Sequence, residues 1–254
     1  MKLAGAVVVI TGGGSGIGAA MAQRFMNEGA AHVVVSDRDA DAAQAVAQAI
    51  GGHAVAADVA QECQTRALID WAEAHCGPID LFCANAGMTA RGGVELPDAQ
   101  WQQLWQVNVM AHVHAARALV PRMLKRGRGH LLFTASAAGL LSQFDAPYAV
   151  TKHAAVALAE WLSITHGGQG LGVSCLCPQG VDTPMLRAED DTRRALMSQG
   201  LLSADMVAEA VVRGLEAGDF LILPHPEVAV YMQRRGDDHA RWLHSMRRLH
   251  AQAR

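Results

Sequence analysis

Tyr148 and Lys152 stand four residues apart in a stretch with a helical pattern, so both side chains fall on one face and an ammonium can sit beside a phenol. A free phenol titrates near ~10 and is a poor base at neutral pH; a neighbouring cation favours the phenolate and brings it closer to a useful range. Ser136 lies twelve residues before the tyrosine, directly after an apolar run. A hydroxyl there can hydrogen-bond a reacting oxygen and share the charge that develops on it. Thr134 and Ser142 are rival hydroxyls on either side, and a hydroxyl at a strand end often only begins a turn. Asn108 follows Trp101, Leu104 and Trp105 on one apolar helical stripe, where an amide needs hydrogen-bond partners. Together these residue types suit proton transfer at a hydroxyl or carbonyl oxygen.

A second constellation lies near the amino end, where an apolar run leads into Thr11-Gly12-Gly13-Gly14-Ser15-Gly16-Ile17-Gly18 and then an Ala-rich helix. Glycines at a strand-to-helix turn leave bare backbone for a pyrophosphate, and the N–H groups and dipole at the helix N-terminus favour its charge. Strand, turn, helix and second strand follow in the order such a site requires.

The spacing of Gly12, Gly16 and Gly18 resembles the TGxxxGxG of the short-chain dehydrogenase/reductase family, and the likeness runs over about residues 4–223. Its most specific part is Tyr148-Ala149-Val150-Thr151-Lys152, and the spacing to that pair singles out Ser136 among the hydroxyls. Asp58-Val59 resembles the family's adenine-contacting pair and Asn85-Ala86-Gly87 its NAG motif. Pro178-Gln179-Gly180-Val181-Asp182-Thr183 resembles its PGxVxT segment, which contacts the nicotinamide carboxamide, although Gln179 stands where the family usually has Gly. The resemblance implies a cofactor site of Gly12, Ser15, Gly16, Ile17, Gly18, Asp37, Arg38, Asp58, Val59, Asn85, Ala86, Gly87, Tyr148, Lys152, Val181 and Thr183. It implies catalysis by Asn108, Ser136, Tyr148 and Lys152: the tyrosine exchanges the alcohol proton and the serine steadies the oxygen. The lysine tunes the tyrosine and orients the nicotinamide ribose, and the asparagine holds a water that completes a proton relay. Asp37 is nineteen residues beyond Gly18, at the end of the second strand. An acidic side chain there accepts from ribose hydroxyls and repels a 2′-phosphate, so NAD is expected over NADP. Arg38 partly offsets that repulsion, and Asp37 could instead cap the next helix, a task for which Asp39 is better placed.

The elements that must position these residues alternate. Strands are expected at 6–10, 32–36, 53–57, 81–84, 130–135, 172–177 and 220–223, with helices at about 16–29, 39–50, 62–76, 98–126, 146–167 and 203–217. Continuous apolar strands separated by helices imply an α/β fold: a single Rossmann-like doubly wound domain over 1–254, its seven-stranded parallel sheet covered by helices on both faces. The irregular stretch 178–202 is a candidate lid, because ligands of such sheets lie beyond the carboxyl ends of the strands. Met88, Leu140, Leu141, Gln143, Phe144, Met185 and Leu186 follow strand ends and imply an apolar pocket for a hydrophobic secondary alcohol.

The chain's net charge of −3 and 51% hydrophobic content exclude a disordered chain and a bulk-electrostatic nucleic-acid binder. The amino end lacks the features of a signal peptide and no apolar run is long enough to span a membrane, so a cytoplasmic protein with no membrane or nucleic-acid partner is expected. Of five cysteines, Cys175 and Cys177 share a strand face; no nearby Cys/His pair completes a four-ligand site, and reduced structural cysteines with no metal are expected. A C-terminal helical tail, about 226–254, carries six arginines from Tyr231 onward, with Trp242, Leu243, Met246 and Leu249 at helical spacing. Packing on its own domain or a neighbouring subunit is expected, and the resemblance implies a homo-oligomer, dimer or tetramer, built on the helices of Asn108 and Tyr148. An imine or sugar substrate, and a non-catalytic dinucleotide sensor, are the alternative readings; the sensor predicts loss of the tyrosine or lysine, and neither is lost.

Overall fold

Val7, Val8, Val9 and Ile10 are all buried, as a strand covered on both faces requires, and their side chains part to two separate cores. The structure, a computed structural model, describes residues 1–142, 145–189, 194 and 200–252. Its strands are β1 (Val7–Thr11), β2 (His32–Asp37), β3 (His53–Ala56), β4 (Leu81–Ala84), β5 (Gly129–Thr134), β6 (Leu171–Leu176), β7 (Val181–Asp182), β8 (Leu202–Ser203) and β9 (Leu221–Ile222). Seven of them form one parallel sheet in the order β3-β2-β1-β4-β5-β6-β9. The order reverses between β1 and β4, which opens a crevice beyond their carboxyl ends.

The helices are α1 (Gly16–Asn27), α2 (Ala40–Ile50), α3 (Glu62–Cys76), α4 (Asp98–Trp105), α5 (Ala111–Arg126), α6 (Ala146–His166), α7 (Pro184–Arg187), α8 (Ala204–Ala217), α9 (Glu227–Asp237) and α10 (His239–Gln252). On one face Val7, Val9, Phe82 and Phe133 pack under Leu68 of α3, Leu119 of α5 and Ala159 of α6. On the other, Val8, Ile10, Val33 and Val35 pack under Phe25 of α1, Ala47 of α2 and Val211 of α8. The doubly wound sheet expected from the sequence is the one observed. Among the described residues no helix is long and apolar enough to cross a membrane.

Three expectations need correction. The helix foreseen over 98–126 is interrupted: Gln106–Met110 form a π turn between α4 and α5. The extra residue of such a turn rotates its side chains off the regular stripe, and Asn108 sits inside it. The irregular stretch 178–202, together with Ser203, forms a small parallel pair, with Val181 opposite Leu202 and Asp182 opposite Ser203; residues 190–193 and 195–199 lie outside the described part. The tail is two helices, broken where Asp238 leaves helical geometry at φ −148°, ψ 88°.

Candidate active site

At Gly12 the backbone φ is +61°, and a Cβ added there would meet the Ala86 Cα at 2.8 Å. Gly18 is more constrained still, since its Cβ would lie 2.1 Å from the Gly12 carbonyl oxygen and 2.7 Å from Asn85 Nδ2. The first glycine lets the turn form, and the last lets α1 start close against the loop after β4. Gly12, Ser15, Gly16 and Ile17 line a cavity of about 1390 Å³, whereas Gly18 lies behind the turn and does not. The Ser15 hydroxyl makes no cap hydrogen bond at the start of α1. Thr11, not foreseen as a site residue, fastens the two loops: its Oγ1 accepts from the N–H groups of Asn85 and Ala86 and donates to the Cys83 carbonyl. Asn85 Nδ2 donates in return to the carbonyls of Thr11 and Gly12.

Asp39, not Asp37, caps α2, accepting from the N–H groups of Asp41 and Ala42. Asp37 is left facing the cavity, its Oδ2 accepting from Gly14 N–H at 3.0 Å. Arg38, Asp58, Val59, Asn85, Ala86, Gly87, Val181 and Thr183 line the same cavity. Thr183 caps α7 and closes over the glycine turn, its Cγ2 only 3.2 Å from where a Cβ on Gly16 would stand.

At the other end of the cavity Ser136 and Tyr148 line the wall together; the Ser136 hydroxyl donates to the Pro178 carbonyl at 3.4 Å and accepts from Ala138 N–H. Of its rivals, Ser142 is exposed and away from this cavity, and the Thr134 hydroxyl is buried without a partner. Lys152 is buried one turn along α6, donates from Nζ to the Thr134 carbonyl at 2.9 Å, and lies 5.7 Å from the centre of the Tyr148 ring. Burial pushes the lysine pKa down to about 8, against an upward pull from Cys175 and Cys177 beneath it. Burial also pushes the tyrosine up, and the neighbouring Ser136 hydroxyl pulls it back.

Asn108 is fully buried and outside the cavity. Its Nδ2 donates to the Met88 carbonyl and to Thr151 Oγ1, and its Oδ1 accepts from Met88 N–H. Thr151, between the tyrosine and the lysine, passes the chain on by donating to the Tyr148 carbonyl. Gly87 faces both ends: a Cβ there would lie 3.3 Å from Lys152 Nζ and 3.5 Å from Asn108 Oδ1. Cys175 in β6 and Cys177 just past its end are free thiols, their sulfurs 3.8 Å apart.

Gln179, the departure from the PGxVxT pattern, has a local reason. Its side chain donates to Glu227 at the start of α9, and its N–H donates to the buried His225, whose other ring nitrogen meets the Gly200 carbonyl. The loop is thereby tied to the tail. Tyr231, Arg234, Trp242, Met246 and Leu249 of α9 and α10 form a wall of the cavity together with Met88, Met185 and Leu186. The helical spacing of Trp242, Met246 and Leu249 signalled that face in the sequence; its target was not legible there. Leu140 and Leu141 do not line the cavity, contrary to expectation, but pack with Ala137 and Val228 under the tail, and Gln143 and Phe144 lie outside the described residues.

Residues 6–194 match the short chain dehydrogenase family. The 1-deoxy-11-beta-hydroxypentalenate dehydrogenase of Streptomyces exfoliatus is 38% identical over 248 residues, covering 94% of this chain and 90% of that protein. The (+)-borneol dehydrogenase 1 of Salvia officinalis is 34% identical over 80% of this chain and 79% of its own length. A short chain dehydrogenase/reductase from Burkholderia phymatum, solved in complex with NAD, superposes with a TM-score of 0.86 at 31% identity, covering 94% of this chain and 95% of that one. The chain thus belongs to the short-chain dehydrogenase/reductase family.

Proposed function

We propose that the protein is an NAD-dependent oxidoreductase that interconverts a hydrophobic secondary alcohol and its ketone. One observation carries the reading: Tyr148, with Ser136 beside it, stands on the wall of a single cavity whose far end is the glycine turn and the carboxylate of Asp37. The bare backbone at Gly12 and Gly16 is a cradle that side chains would fill, which fits a dinucleotide pyrophosphate. Gly12, Ser15, Gly16 and Ile17 would hold it, with Gly18 allowing the turn to close. Asp37 and Arg38 would face the adenosine ribose and Asp58 and Val59 the adenine. Asn85, Ala86, Gly87, Val181 and Thr183 would hold the nicotinamide half, and Lys152 its ribose. Bound there, the cofactor supplies a hydride acceptor for the alcohol or a donor for the ketone.

The chain's own residues handle the proton and the oxygen. Tyr148 takes the hydroxyl proton in oxidation and returns it in reduction, while Ser136 hydrogen-bonds the substrate oxygen. Lys152 holds positive charge beside them. The gap that Gly87 leaves between Lys152 Nζ and Asn108 Oδ1 suits a water that passes the proton outward. The apolar wall of Met88, Met185, Leu186, Trp242 and Leu249 supports a hydrophobic substrate, and the two relatives named above are dehydrogenases of a hydroxypentalenate and of borneol. We further propose that residues 1–254 work as one catalytic unit in the cytoplasm with the tail as its cover, and that copies associate through α4–α5 and α6, where Trp105, Trp161 and Ile164 are exposed.

Paired rate assays with NAD and NADP over a panel of hydrophobic secondary alcohols test this reading. Turnover with NAD is expected for at least one, with the preference over NADP falling about tenfold to a hundredfold in Asp37→Ser. Binding of cofactor with no turnover on any alcohol or ketone would contradict it.

A further inference from the structure

The rim of the sheet opposite the cavity gathers a second set of chemistry-bearing side chains. His32 opens β2, His53 opens the neighbouring edge strand β3, and Cys76 ends α3. One ligand atom from each, His32 Nδ1, His53 Nε2 and the Cys76 sulfur, lie within 4.8 Å of one another, the two nitrogens at 3.3 Å. Among the described residues no other three His, Cys, Asp or Glu side chains gather in this way. Metal–nitrogen bonds of 2.0–2.1 Å at a tetrahedral zinc place two nitrogens about 3.3 Å apart, and a 2.3 Å bond to sulfur places it about 3.6 Å from each nitrogen. The imidazoles already have that separation, and a small rotation of the cysteine brings in the third ligand. The indole of Trp71 stands edge-on to the His53 ring at 5.9 Å between centres and supports its orientation. Both histidines are half-buried and Cys76 is 9% exposed, so one side of the set remains open to water.

We propose that His32, His53 and Cys76 form a binding site for a thiophilic divalent cation, zinc by class, completed by a water as the fourth ligand. Two imidazoles and a thiolate select such an ion over magnesium or calcium, which prefer oxygen. Binding displaces the thiol proton to solvent, and no electron is transferred. None of the three residues lines the cavity, so the ion acts on the fold: it staples the edge strand β3 and the last turn of α3 to β2. The alternative, a single hydrogen bond between the two imidazoles at 3.3 Å, predicts no metal at all.

The test uses the full chain without a histidine tag, stripped with a chelator and titrated with Co(II). One equivalent is expected to give tetrahedral d–d bands with a thiolate-to-cobalt charge-transfer band, both displaced by Zn(II). Zinc at about a hundredfold over its dissociation constant is expected to raise Tm by about 5–10 °C. Cys76→Ser is expected to remove the charge-transfer band, and His53→Gln, at a half-exposed position that tolerates the change, to weaken binding at least tenfold. Absence of the charge-transfer band in the wild type overturns the proposal. So does its persistence in Cys76→Ser, which would assign it to another thiol such as the exposed Cys63.

Discussion

Lys152 is 3% exposed, its ammonium donates to the Thr134 carbonyl, and burial pushes its pKa down to about 8. In the unfolded chain a lysine keeps its proton to about 10.4, so between about pH 8 and pH 10 the unfolded state binds more protons and stability rises with pH. Below that window the cost of the buried charge is constant, on the order of 3 kcal/mol, part of it offset by the carbonyl hydrogen bond. Lys152→Met keeps the stem and removes the charge. Turnover is expected to vanish in this variant while the Tm of the cofactor-free protein at pH 7 rises by about 4–8 °C, read from thermal melts beside the rate assay. A variant that melts lower than wild type would show that the ammonium supports the fold instead of burdening it. The cost makes functional sense, because a lysine held beside Tyr148 and, among the described residues, paired with a carbonyl and no carboxylate is positioned for charge, not for stability.

At the scale of elements, two departures from regular structure build the site. The π turn at Gln106–Met110 turns Asn108 inward to grip Met88 and Thr151, which fixes the loop after β4 against α6. The break at Asp238 folds α10 back so that Trp242 approaches Tyr231, their rings 6.4 Å apart, over the apolar end of the cavity. Trp242→Ala is therefore expected to raise KM for the alcohol about tenfold or more, with KM for NAD unchanged, in steady-state kinetics with each substrate varied. An equal rise for both would place the tail over the cofactor as well. Neither departure was legible in the sequence. A five-residue π turn is too short to change the apolar period read over the whole of 98–126, and an amphipathic tail announces its face but not what the face covers.

Across the whole molecule, burial of histidines sets the acid limit. His112 is 1% exposed with no partner for either ring nitrogen, and burial together with the charge of Lys152 pushes its pKa down to about 3. His130, buried against Ser174, is pushed down to about 4. Below about pH 6.5 the unfolded chain takes up protons at both that the folded chain refuses, so stability falls as pH drops through 6.5 toward 4. Denaturant titrations between pH 7 and pH 4.5 are expected to show a loss approaching 2.7 kcal/mol per pH unit near pH 5, about half of which His112→Phe restores; a flat profile would refute the account. The architecture itself was readable in advance, because most of the parallel strands are continuous apolar runs and the glycine turn, Asp37 and the Tyr148–Lys152 pair sit at fixed places in that rhythm. What escaped was long-range: Thr11 clasping Asn85, His225 seizing the Gln179 loop, and Leu141 turned under the tail depend on partners 74, 46 and 87 residues away. The claim on which the rest hangs is that Tyr148 moves the substrate proton, and kcat/KM for NAD-linked alcohol oxidation in Tyr148→Phe, with NAD affinity measured on the same protein, tests it directly. A fall of about a hundredfold to ten-thousandfold with NAD binding intact is the expected result; activity within tenfold of wild type would contradict it.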